Sequence, residues 1–137
     1  MKKNDFNIAV EKMWDAFERL KTYYSPSLDK KNSVNKIIEI ISNNDEVFKG
    51  FFEKEFIELT YIGNNFRIRH HETTKINIED EKHYMYLYMR CLSLISMSLN
   101  YLKKVIYFVN NFTVNIRRMC EVSLLSRKIV IKTSKRT

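Results

Sequence analysis

Phe6-Asn7-Ile8-Ala9-Val10-Glu11-Lys12-Met13-Trp14-Asp15-Ala16-Phe17-Glu18-Arg19-Leu20 is the stretch that decides the fold. Phe6, Val10, Met13, Trp14, Phe17 and Leu20 recur at three- and four-residue steps, so a helix gathers them into one apolar stripe. The spacing predicts a helix from about Asp5 to Tyr23, with Asn4 or Asp5 capping its start. Ser25-Pro26-Ser27 stops it, because Pro26 disfavours a helical conformation at Ser25.

The same period continues outward. Val34, Ile37, Ile38 and Ile41 share one face of a short helix, Ser33 to Ser42, approached by the polar run Asp29-Lys30-Lys31-Asn32. Asn43-Asn44-Asp45 closes that helix and caps the next. A third helix is expected over Asp45 to Ile62, burying Val47, Phe48, Phe51, Phe52, Phe56, Leu59 and Ile62. Gly63 follows the last periodic residue and is expected as a left-handed C-cap, with Asn64 and Asn65 continuing the turn. Residues 64–78 read as an ordered loop or an irregular turn. A long fourth helix starts near Asn77 to Asp80, with Glu79, Asp80 and Glu81 in its first turn. Its stripe is Tyr84, Leu87, Tyr88, Cys91, Leu94, Ile95, Leu102, Val105 and Ile106. Val114 to Met119 can extend a helix, while Arg127 to Lys132 has strand-like composition without a partner strand. The fold class is all-α: a helical bundle over residues 1–112 and a basic C-terminal extension over 113–137.

Composition agrees. In 137 residues there are 2 Gly and 1 Pro, too few for a sheet rich in turns or for a phosphate-binding glycine loop. No nucleotide cofactor, and no cofactor of any kind, is expected. The two cysteines, Cys91 and Cys120, form no CxxC pair, which points to a reducing cytoplasm. No signal peptide is visible behind the polar start, and the longest uncharged apolar-rich run, Cys91 to Leu102, is too short to span a bilayer. No membrane association is expected. The net charge of +8 is uneven. Residues 1–112 carry 17 Lys+Arg against 15 Asp+Glu, whereas 113–137 carry seven basic residues and one acid. Such a tail, with Arg117 and Arg118, attracts polyanions or simply remains solvated.

Periodicity accounts for Trp14, the six Met and most Phe as core or core edge. His83 reads as a surface residue. Arg90, between Met89 and Cys91, either snorkels or points at an anion or a buried acid. Gly63-Asn64-Asn65-Phe66-Arg67-Ile68-Arg69-His70-His71-Glu72 is different. Arg67, Arg69, His70 and His71 gather guanidinium and imidazole groups within five positions, and Asn64 and Asn65 add amide donors. These are the groups that metal-independent RNA cleavage requires: a base for the 2′-hydroxyl, an acid for the leaving 5′-oxygen and a cation for the phosphorane. The structural reading is that Arg67 and Arg69 pair with Glu55, Glu58 or Glu72, and that the histidines cap carbonyls at the end of helix three. No metal site is expected, since adjacent His70 and His71 cannot both face one ion from a regular helix.

Lys12 to Lys21, Glu58 to Glu72 and Arg90-Cys91-Leu92-Ser93-Leu94-Ile95 together resemble the HEPN-like helical domain of bacterial abortive-infection proteins, over roughly residues 8–102. The resemblance implies a four- to five-helix bundle, often a homodimer, and in many members a metal-independent endoribonuclease of phage-defence or toxin type with a composite dimeric site. Carried onto this chain, it gives His70 or His71 as acid/base, Arg67 and Arg69 on the scissile phosphate, and Asn64, Asn65 and Arg90 as RNA contacts; Arg117 and Arg118, outside the resemblance, are expected as RNA contacts from the basic charge of the tail. RNA is the implied partner, with an antitoxin or a larger defence protein beside it. The family's motif places a His after an Arg with four to six residues between them; here, counting back from His70 across six intervening residues, Gly63 stands where the Arg would be. That departure leaves a second reading, a non-catalytic RNA-binding or dimerisation module. A third is a purely structural bundle that dimerises through Leu94, Ile95 and Leu102.

Overall fold

Four helices carry the described residues of the computed structural model, which are 3–69 and 71–102. They are α1 (Lys3–Lys21), α2 (Lys30–Ser42), α3 (Glu46–Asn65) and α4 (Glu81–Leu102). Among the described residues the architecture is all-helical; the only extended pairing is an isolated bridge between Phe66 and Ile76. Expectations about His70, Val105, Ile106, Arg117, Arg118, a helix over 114–119, a strand over 127–132 and a boundary at residue 112 lie outside the described residues.

The α1 stripe is the centre of the core. Phe6, Val10, Met13, Trp14, Phe17 and Leu20 are all at most 4% exposed. Burying each large side chain contributes about 1.5–3 kcal/mol. The helix lies chiefly against α4. The Cys91 thiol faces the Met13 carbonyl at 3.8 Å. Towards α3, the rings of Phe17 and Phe56 stand 5.6 Å apart. The start differs from expectation: α1 is already helical at Lys3, so Asn4 and Asp5 are helical residues and not its cap. It unwinds after Lys21, before Pro26, through turns in which Thr22 N–H donates to Arg19 O and Tyr23 N–H to Leu20 O.

Helix α2 begins at Lys30, three residues earlier than its stripe suggested. Asp29 makes this possible: its carboxylate accepts from Asn32 N–H at 2.8 Å, satisfying a free donor of the first turn. Ile37, Ile38 and Ile41 are buried, while Val34 is half-buried. The helix ends on two left-handed asparagines, Asn43 at φ 49° and Asn44 at φ 64°. Asn tolerates that region better than most residues. Asp45 then caps α3, its Oδ1 accepting from Val47 N–H at 2.9 Å and Phe48 N–H at 3.1 Å.

In α3 the expected stripe is only half right. Phe52, Phe56, Leu59 and Ile62 are buried, but Val47, Phe48 and Phe51 are 81, 53 and 59% exposed. At 100° per residue, Val47 and Phe51 point about 100–140° away from Phe52. Phe48 shares the side of Phe52 but lies a turn earlier, where its ring leans on Phe51 and Phe52 and nothing among the described residues covers it.

Gly63 is not a left-handed C-cap. It lies inside α3, which continues through Asn65, and no glycine has a positive φ. A Cβ at Gly63 would stand 2.5 Å from Nε1 and 2.6 Å from Cδ1 of Trp14. The residue is glycine because the indole lies against the helix backbone there, donating Nε1–H to the Leu59 carbonyl at 3.2 Å. The helix is closed instead by Phe66, whose N–H reaches Ile62 O at 2.9 Å.

The link from α3 to α4 spans 66–80, two residues later at each end than the expected 64–78. Arg67 N–H donates to Ile76 O at 2.7 Å, and Ile76 N–H to Asn65 O at 3.0 Å. Ile68 and Ile78 are buried and pin the two arms to the core. Of the three acids assigned to the first turn of α4, only Glu81 is in it; Asp80 precedes it and accepts from Lys82 N–H at 2.8 Å. Of the α4 stripe, Tyr84, Tyr88, Cys91, Leu94 and Ile95 are buried, whereas Leu87 and Leu102 are half-buried. Leu94 and Ile95 therefore offer no dimer surface.

Candidate functional site

The loop that follows α3 brings together fewer of the expected groups than their spacing suggested. Asn64 is exposed on the last turn of α3. Asn65 turns its amide back and donates to Tyr61 O at 2.8 Å, satisfying a carbonyl of the helix end. Arg67 is half-buried near Tyr84; burial pushes the Tyr84 hydroxyl up, and the Arg67 charge partly offsets this. Arg69 leaves the loop altogether. Its Nη2 donates to Asp15 Oδ1 on α1 at 3.1 Å. His70 lies outside the described residues, and its neighbour His71 is exposed. Arg67 and His71 both have partners of their own. Glu72 pairs with Lys75 at 3.1 Å.

Asp15 was not among the acids expected for the arginines. Glu55 and Glu58, which were, are taken by Arg90 from α4. Arg90 donates through Nε to Glu55 Oε1 and through Nη2 to Glu55 Oε2, both at 2.8 Å, and through Nη2 to Glu58 Oε2 at 3.1 Å. The hydrogen bonds that Glu55 accepts, together with its charge, hold the guanidinium even more firmly protonated than usual. Of the two readings of Arg90, the acid is the one realised, and its contacts are with α3 and not with the loop. The pair sits in an open groove of about 750 Å³ between α3 and α4, whose sides include the exposed Phe51, Tyr86 and Met89.

Sequence reasoning missed a second charged cluster. Lys21, at the end of α1, is only 4% exposed. Its Nζ meets Glu18 Oε1 at 2.6 Å and Thr60 Oγ1 at 3.2 Å, and stands 4.8 Å from the Phe17 ring centroid. Glu18 Oε2 takes Lys30 of α2 at 2.6 Å. Burial lowers the Lys21 ammonium by more than Glu18 raises it. For Glu18, burial raises the carboxyl, but the hydrogen bonds and charges of the two lysines outweigh this and bring it below its usual range. The Glu18/Lys21 spacing of three was a visible signal for the pair. Its burial was not, because Lys30 and Thr60 come from other helices.

No group of three or more His, Cys, Asp or Glu able to hold a metal occurs among the described residues. No helix among them is long and apolar enough to cross a membrane. No family model matches the sequence, and neither a curated protein nor a solved structure matches it.

Proposed function

We propose that the chain is a non-catalytic, HEPN-like helical module that works by association, pairing with a second copy through the α3–α4 face, with RNA as a further partner. The observation that carries this reading is the engagement of its cations. Arg69 is held by Asp15 and Arg90 by Glu55 and Glu58. Position 63, where the family's arginine would project, lies under Trp14 with no room for a side chain. The exposed Phe48, Phe51, Tyr86 and Met89 supply apolar surface that an isolated bundle has little reason to display. Light scattering is the test. The wild type is expected to be a dimer and Phe51→Ser a folded monomer; a monomeric wild type refutes the pairing. A fall in RNA affinity with rising salt would support phosphate-backbone contact.

The endoribonuclease reading remains as a second proposal, favoured by the exposure of His71 on a loop whose backbone is tied at Phe66 and Ile76. In that reading a phosphodiester is cleaved at a dimeric site, with His70 or His71 as acid/base and Arg67 on the phosphate. General acid–base help from one imidazole is worth about 10²–10⁴ in rate. RNA cleavage in EDTA by wild type, His70→Ala and His71→Ala decides it. Equal cleavage by all three, or none by any, ends the ribonuclease reading.

A further inference from the structure

Between α2 and α3, away from the loop, lies a cleft of about 550 Å³. Volumes of about 300–1,000 Å³, mostly apolar walls and a few convergent polar groups characterise small-molecule sites. The walls here are Val34 and Ile38 of α2 and Phe56 and Ile57 of α3. Ile57 is 70% exposed, an apolar side chain left in solvent at the cleft edge.

The polar groups are not spread evenly. Thr60 lies beside Lys21, and Lys30 joins Lys21 through Glu18, so this end holds Lys21, Lys30 and Lys31 against one carboxylate. The only other acid of the cleft, Glu53, lies on α3 seven residues before Thr60. Seven helical residues span about 10 Å. The cleft is therefore cationic at one end, apolar along its middle apart from Asn35, and acidic at the other. Lys21 cannot swing away from it, because Glu18, Thr60 and the Phe17 ring hold its ammonium in place. Lys30 and Lys31 stand exposed at the mouth.

We infer that this cleft binds an acyl-chain carboxylate, the head group at Lys30 and Lys31 and the chain along Val34, Phe56 and Ile57. Polarity sets the orientation, since Glu53 repels a carboxylate from the far end. An apolar chain about 10 Å long fills the distance between the two ends. This site is independent of the α3–α4 face and of the loop.

The experiment is a titration of the full chain with decanoate below its micellar range, followed by amide chemical shifts. Decanol, acetate and decyltrimethylammonium serve as comparisons. Saturable shifts at Ile57 and Thr60 with decanoate are expected, with binding of each comparison weaker by about tenfold or more, because a charge-assisted contact and the chain are both required. Lys31→Ala and Ile57→Asp, both changes at exposed positions, are each expected to weaken decanoate by about tenfold while the thermal midpoint is kept. Equal binding of decanol, shifts confined to residues outside the cleft, unchanged binding by both variants, or no saturable binding would each overturn the assignment.

Discussion

Gly63→Ala separates a packing glycine from a capping one. In an open helix interior, alanine is more favourable than glycine by about 1 kcal/mol. Here the new methyl would stand 2.5 Å from the Trp14 Nε1 atom, inside any tolerable contact. Trp14 is 2% exposed and has nowhere to go. Moving it breaks the 3.2 Å hydrogen bond to Leu59 O. Overpacking costs about 1–3 kcal/mol and an orphaned buried donor about 1–3 more. With the middle of each range and the helical gain subtracted, the net loss is about 3 kcal/mol, a fall in melting temperature on the order of 10 °C. Chemical denaturation of Gly63→Ala, Trp14→Phe and the double variant measures it. Trp14→Phe removes the pyrrole edge that the methyl would strike. The two changes are therefore strongly coupled, and the double variant is less destabilised than the sum of the singles. A left-handed glycine would also resist alanine, but independently of Trp14. Additive losses, or a neutral Gly63→Ala, would refute the packing argument.

The other glycine behaves oppositely: Gly50 lies in α3 with nothing within 4 Å of an added Cβ, so Gly50→Ala is expected to raise stability by up to about 1 kcal/mol in the same denaturation assay. Arg90→Ala leaves Glu55, 17% exposed, without its bidentate partner, and is expected to cost about 3 kcal/mol; Glu58→Ala, at 61% exposure, is expected to cost under about 1 kcal/mol. Equal losses from the two would refute the ranking. Glu18, lowered below its ordinary 4.5, contributes stability that is complete above that value and lost as pH falls through its folded-state value. Acid unfolding of wild type and Glu18→Gln should therefore converge at low pH and diverge above it; a gap that does not change with pH would contradict this. Burial pushes the Cys91 thiol well above its usual range, so in a Cys120→Ser variant iodoacetamide labelling is expected only on unfolding, and rapid labelling of the native protein would contradict the buried position.

Local rules sufficed wherever a helix buries one continuous stripe. The α1 residues from Phe6 to Leu20 and the α4 run from Tyr84 to Ile95 could be placed from their period alone, because 3.6 residues per turn puts them on one side whatever they meet. The Asn43-Asn44-Asp45 punctuation was equally legible, since side-chain capping is a matter of neighbouring residues. Gly63 was misread because glycine after an apolar stripe has two uses, and only the arrival of Trp14, 49 positions earlier, selects one. Val47 and Phe51 were misread because apolar character says what can be buried, not whether another element lies above it. At the candidate site, the sequence by itself determined that cations gather near residues 67–71. Tertiary structure decided that Arg69 turns to Asp15 and Arg90 to Glu55 and Glu58. A charged side chain takes the opposite charge that folding brings within reach, and such partners are dozens of residues away in the chain.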